Sequence, residues 1–276
     1  MKKRTKYVLY TLPAVFTILV LWVLWGNKAL QLNAITAESE YLPDAFAGYR
    51  IAHVSDLHNA KMGQDNKKLL ALLEKAEPDM IAITGDLIDS RRTDIDTALA
   101  FAAEAVKIAP CYYVPGNHEA RITEYAALRD SLTTLGVTVL EDARVTVHKD
   151  GQKITIIGVK DPSFQSNTDM HNRLQQLTDE ADSYTVLLSH RPELFDTYVQ
   201  NGADLVLSGH AHGGQVRLPF TGGLIAPHQG LFPEYDSGLY VREDTSMIVS
   251  RGIGNSLFPL RFNNRPEVIL ITLQHT

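Results

Sequence analysis

Cys111 is the only cysteine in this 276-residue chain, so no internal disulfide can form. It lies in an apolar run, which predicts core packing. Positive charge is scarce beyond the first six residues. Setting aside Lys2, Lys3, Arg4 and Lys6 leaves 22 of the 26 bases against 32 acids, a net −10 for the remainder. Such a body does not read as a nucleic-acid binder. There is no internal repeat, low-complexity tract or second domain boundary. With 45% hydrophobic residues the chain has material for one sizeable core.

Long apolar runs are also scarce, and the one that exists spans residues 7–25. As a helix rising about 1.5 Å per residue it covers roughly 28 Å, close to a bilayer's hydrocarbon thickness. Trp22 and Trp25 stand where an interfacial belt belongs, and Pro13 is tolerable inside a membrane helix. The basic cluster precedes the run, which predicts a cytoplasmic N-terminus and an extracytoplasmic body. A cleaved signal peptide is the rival reading. The run exceeds a usual signal core, and Ala34-Ile35-Thr36-Ala37 is a poor cleavage site. The expected organisation is a basic tail (1–6), a single-pass signal-anchor (7–25), a juxtamembrane segment (26–47) and a body (48–276) at the cell membrane.

Five short apolar runs dominate the body, and each ends in residues that can ligate metal. Residues 51–54 lead into Asp56 and His58, 80–84 into Asp86, and 111–114 into Asn117, His118 and Glu119. Residues 186–189 lead into His190, and 205–208 into His210 and His212. Runs of this length closed by Gly or Asp read as buried strands. If the strands were parallel in one open sheet, their carboxyl ends would share a rim, where ligands bind. Helical periodicity is expected over 66–76, over 94–108 behind a Thr93 cap, and over 122–135. Residues 137–140, 145–148 and 153–160 read as consecutive strands with Asp150-Gly151 at a hairpin turn. Further strands are expected at 30–36, 239–241, 247–250 and 268–273. A purely parallel sheet does not fit this pattern. The expected fold is α/β, a four-layer α-β-β-α sandwich of two mixed sheets behind one transmembrane helix.

Any one of these elements is a weak signal, but the complete order is specific. Asp56-x-His58, Gly85-Asp86, Gly116-Asn117-His118-Glu119, His190 and Gly209-His210-x-His212 resemble the signature of the calcineurin-like metallophosphoesterases across roughly residues 48–273. Residues 55–59, 209–215 and the tail Ser250-Arg251-Gly252 … Pro259-x-Arg261 … Pro266-Glu267 are similar to the bacterial membrane-associated phosphodiesterases of that superfamily. The resemblance implies two divalent cations sharing Asp86. One would take Asp56, His58, Asp86 and His212, the other Asp86, Asn117, His190 and His210. Two oxygens on one carboxylate would let Asp86 bridge. Mixed imidazole and oxygen donors suit Mn, Fe, Zn or Co rather than Ca. The implied chemistry is hydrolysis of a phosphoester by water activated between the cations. The resemblance also gives His118 the phosphate contact and protonation of the leaving oxygen, with Glu119 orienting it.

Other residues carry weaker expectations. Asn59 reads as a phosphate-contacting amide. Arg251 and Arg261 read as holding a second phosphate or a head group, whereas ordinary salt bridging is expected of Arg265. His53, His148, His171, His228 and His275 fall outside the pattern, and packing or surface roles are expected for them. Residues 218–233 form an apolar segment that either folds onto the core or makes a lip against lipid. The functions weighed are a membrane-anchored phosphodiesterase acting on a lipid or envelope phosphoester, a phosphomonoesterase or nucleotidase with the same site, and a catalytically silent phospholipid-binding protein.

Overall fold

The structure is a computed structural model describing residues 2–164, 167–255 and 258–276; the side chains of residues 2–10, 167 and 168 are not among those described. Helix α1 (Lys2–Gly26) precedes a body of two six-stranded sheets. In chain order, β1 (Gln31–Ser39), β2 (Arg50–Val54), α2 (Lys67–Ala76), β3 (Met80–Thr84), α3 (Ile95–Ile108), β4 (Cys111–Val114), α4 (Tyr125–Thr134) and β5 (Thr138–Val139) lead into the second half. There follow β6 (Ala143–Lys149), β7 (Gln152–Gly158), α5 (Asn167–Asp179), β8 (Thr185–Leu188), α6 (Phe195–Gln200) and β9 (Leu205–Ser208). Two small ribbons, β10 (Arg217–Leu218) with β11 (Gly222–Gly223) and β12 (Ile225–Ala226) with β13 (Gly230–Leu231), precede β14 (Gly238–Arg242), β15 (Thr245–Val249) and β16 (Glu267–His275).

The first sheet has the order β1-β16-β2-β3-β4-β5 and the second β14-β15-β9-β8-β7-β6. Both are mixed: β16 runs antiparallel to β2, and the β6–β7 and β14–β15 pairs are antiparallel hairpins. Strand alternation explains how they stack. In β3, Ile81 and Ile83 pack with α2, α3 and α4, while Met80 and Ala82 face the other sheet. In β9, Leu205 and Leu207 face inward and Val206 joins the cluster that holds Met170, Leu174 and Phe195 of the outer helices. Strands apolar on both faces therefore produce the expected four layers, with one core between the sheets and one outside each.

Several local expectations shift for clear reasons. Asp94, not Thr93, caps α3, because its carboxylate accepts from the Thr97 amide at 3.0 Å. The helix expected from 122 begins at Tyr125, after a short 3-10 turn over Glu119–Arg121. The strand expected over 30–36 extends to Ser39 and pairs in parallel with nine residues of β16, so this segment is built into the first sheet. Helices α5 and α6 were not foreseen, since α5 carries only a thin apolar stripe at Met170, Leu174 and Leu177.

The transmembrane expectation is not met here. Residues 7–10 of the expected span are among those whose side chains are not described. Among the described residues, no helix is long and apolar enough to cross a membrane. The expected span over 7–25 lies partly outside them.

Candidate metal centre

The tips of five strands meet, but they come from two sheets, not one. Asp56 and His58 follow β2, Asp86 follows β3, and Asn117 and His118 follow β4, all in the first sheet. His190 follows β8, and His210 and His212 follow β9, in the second. The chain turns sharply at these tips. Asp56, His58, Asp86, His210 and His212 all have φ between 46° and 65°, a left-handed backbone that costs a non-glycine residue of order 1–3 kcal/mol. Such strain persists only where the surroundings over-determine it. Close approach is equally demanding. A Cβ at Gly116 would collide with Asp86 Oδ1, and one at Gly209 with Ser55 Oγ and Asp56 Oδ2.

Two nests of donor atoms result. In one, His212 Nε2 stands 3.4 Å from Asp56 Oδ1 and 3.3 Å from His58 Nε2. In the other, His190 Nε2 stands 3.2 Å from both Asp86 Oδ2 and His210 Nδ1. Asp86 joins them, because Oδ2 is also 3.5 Å from His58 Nε2. Its Oδ1 is occupied, accepting the His118 amide at 2.8 Å. The carboxylate thus presents one oxygen to both nests, where the sequence reading expected two. Asp56 is oriented likewise: Oδ2 accepts from Ser55 Oγ and the His210 amide, leaving Oδ1 toward the imidazoles.

The donor set fits divalent cations. His190 Nδ1 lies 2.7 Å from the Thr84 carbonyl, which can only accept, so in the neutral ring Nε2 is a bare lone pair aimed at Asp86. Asn117 Oδ1 is buried without a hydrogen-bond partner beside the same nests, an acceptor still lacking its positive group. Burial opposes ionisation of Asp56 and Asp86, yet His212 and His58 for the first and His190 and His58 for the second hold both carboxyls well below the usual range. Burial keeps His212 near 3 and His210 well below its ordinary value. Burial also opposes charge on His190, but Asp86 overrides it and raises that ring to about 10. Without a cation, a proton on His190 is the alternative neutraliser of Asp86.

His118 completes the rim on the open side. The Ser90 amide donates to its Nδ1 at 3.0 Å, so the neutral ring carries its proton on Nε2, 4.0 Å from Asp86 Oδ2. Burial lowers His118 to about 4. A cavity of about 210 Å³ opens here, lined by Asp86, Asn117, His118, His210 and His212 and also by Arg91, Arg121, Pro227 and His228. Sequence reasoning missed Arg91 and Arg121, and it left His228 to a packing or surface role. His228 Nδ1 accepts from Arg191 at 2.6 Å, and its ring lies 5.1 Å from that of His210.

The residues of the weaker sequence expectations have partners of their own in the structure. Asn59 spends its amide nitrogen on the Arg92 carbonyl at 2.6 Å. Glu119 is fully buried and accepts from the amides of Gly116, Asp86 and Ile88 at 2.7, 2.9 and 3.2 Å, so it braces two strand tips and does not face the cavity. Arg261 is buried behind the site, its guanidinium 3.5 Å from His212 Nδ1 and otherwise bound to the Arg251 and Gly254 carbonyls and Asn255. Arg251 lies with it, away from the cavity. The 218–233 segment is split: Ala226 packs into the outer core with Phe195 and Val206, whereas Phe220, Leu231 and Phe232 are exposed and Pro227 and His228 line the cavity.

A rim of this kind on a two-sheet α/β scaffold defines a metal-dependent hydrolase. The chain belongs to the calcineurin-like phosphoesterases, whose family model matches residues 49–214, and it is a phosphoester hydrolase of that family. It is similar to the metallophosphoesterase YkuE of Bacillus subtilis (strain 168), 33% identical over 90% of this chain and 86% of that one. It is similar to the phosphodiesterase YaeI of Escherichia coli (strain K12), 28% identical over 84% of this chain and 85% of that one. A transmembrane protein with a metallophosphoesterase domain from Bos taurus is 29% identical over 99% of this chain and 64% of its own length.

Proposed function

We propose that this chain is a phosphodiesterase with two divalent cations, working at the outer face of a membrane on a lipid or envelope phosphoester. One cation would be held by Asp56, His58, Asp86 and His212, the other by Asp86, Asn117, His190 and His210. When bound, such a pair activates water and neutralises phosphate charge. The convergence of both donor nests on Asp86 Oδ2 carries the reading. His118 would donate Nε2–H to the departing oxygen, its Nδ1 being held as acceptor by Ser90.

Charge favours a diester. Arg91 is bound bidentately by Asp89 at 2.9 and 3.1 Å, and His118 is neutral, so among the described lining residues Arg121 is the guanidinium without a carboxylate partner. A monoanionic diester needs less compensation than a dianionic monoester. Turnover of bis(p-nitrophenyl) phosphate and p-nitrophenyl phosphate with added Mn²⁺ tests this. A higher kcat/KM for the diester is expected; the reverse order would favour the monoesterase or nucleotidase reading.

The membrane part rests on α1. Leu12, Val15, Phe16, Ile18, Leu21, Leu24 and Trp25 are exposed along it, a surface that soluble chains rarely leave uncovered. Its end is followed directly by β1 of the body, and bases cluster at its start. Protease treatment of intact spheroplasts checks the topology: the body is expected to be digested from outside while the basic tail survives. Loss of the first thirty-odd residues from the mature mass would replace the anchor by a cleaved leader.

A further inference from the structure

A second cavity, of about 280 Å³, lies where α1 meets the body, separate from the metal rim. Trp22 and Trp25 wall one side; Arg251, Arg261 and Arg265 wall the other. The junction is built, not incidental. Asn27 at the end of α1 donates to the Arg261 carbonyl at 2.9 Å and accepts from the Arg261 amide at 2.8 Å. Trp22 packs edge-on against Phe262 at 5.1 Å, and the Arg265 guanidinium lies 5.1 Å over the Trp25 ring.

The charge in this cavity is not balanced. Arg261 spends its donors on two carbonyls and an amide oxygen, none of them charged. Arg265 donates to the Ala29 carbonyl at 2.8 Å. Arg251 has Glu267 at 3.6 Å as its carboxylate, and its Nε is buried without a hydrogen bond. Among the described residues Glu267 is the carboxylate within ion-pair reach of this trio, and Asp56 acts on Arg261 through space from the metal side. An anion would complete the cavity, and the indoles beside it suit a ligand whose other end is apolar.

We propose that this notch binds the phosphate of an anionic phospholipid headgroup, fixing how the body sits on the bilayer. The shared chemistry is a phosphate, which a soluble anion could also supply. The inference rests on the proposed seating of α1 in a membrane, and the test separates the two.

Trp22 and Trp25 are the chain's only tryptophans, so tryptophan fluorescence, excited beyond the tyrosine band, reports on this notch alone. The full chain is reconstituted in mixed bilayers in which either phosphatidylglycerol or phosphatidylcholine carries brominated acyl chains. Stronger quenching by the brominated anionic lipid is expected. Its relative affinity should fall about fivefold in Arg265→Gln and again in Arg251→Gln. Turnover of a soluble diester by Arg265→Gln should match wild type, which shows that the variant folds. Equal quenching by both lipids in wild type, or a preference that survives both substitutions, would overturn the notch while leaving the membrane seat intact. Quenching by neither lipid would sink the seat and the notch together. A saturable response to inorganic phosphate in pure phosphatidylcholine, without lipid preference, would assign the notch to a soluble anion and overturn the lipid.

Discussion

The first sheet places Asp56, His58, Asp86 and Asn117 at its rim, while the second places His190, His210 and His212 at its own. Most of the oxygen donors therefore come from one half of the chain and most of the imidazoles from the other. Each half also needs the other to aim its donors. The His210 amide holds Asp56 Oδ2 at 3.0 Å, and the Thr84 carbonyl fixes the His190 ring. The lesson is that the centre belongs to the interface between the sheets.

The largest expected effect breaks that interface at its shared oxygen. Asp86→Asn should lose bound metal and turnover together, read by metal analysis beside a diester assay; retained metal would show that the nests are independent. His118 borders the shared Asp86 but is outside both proposed ligand sets, so His118→Ala should keep metal while losing roughly 10²–10⁴-fold in rate. Undiminished turnover would remove His118 from the reaction.

The supports of the two rims should differ as well. On the second sheet, Arg191 is bound bidentately to buried Asp161 and lies 3.2 Å from His210 Nε2. Arg191→Met leaves that carboxylate unpaired and should cost about 3–5 kcal/mol in urea unfolding. Burial pushes the Asp161 carboxyl up, but Arg191 more than offsets this and holds it below its ordinary value. A folded-state value below the unfolded one means stability that is present above the ordinary carboxyl range and lost as pH falls through it. The gap between wild type and Asp161→Asn should therefore narrow on going from pH 7 toward pH 3. On the first sheet, Glu119→Gln keeps the shape but sets an amide against three backbone donors, and about 1–3 kcal/mol is expected. A larger cost for Glu119→Gln than for Arg191→Met would reverse this ranking. The smallest effect concerns Cys111. Burial pushes its thiol up to about 12, so iodoacetamide at pH 8 should leave the folded chain unmodified.

Much of the candidate site was legible because its parts are local. A buried strand, a glycine and a ligand within a few residues leave a mark that periodicity and spacing reveal, as at Gly85-Asp86 and His210-x-His212. Residues that reach the site by long-range folding left no such mark. Arg91 and Arg121 come from loops of unremarkable composition, and His228 arrives on a ribbon distant from β9. Glu119 sits beside His118 in sequence, yet the carboxylate turns back to the backbone of another strand tip. Arg261 lies behind His212 for the same reason, brought there by Asn27 and the end of α1.

The order of strands and donors was written in the sequence, because apolar alternation and short motifs act over a few residues. Which donors share a cation nest, which oxygen of Asp86 faces both nests, and which arginines face a cavity were decided only by the stacking of two sheets. Those choices depend on contacts between residues a hundred or more positions apart, and no local propensity encodes them.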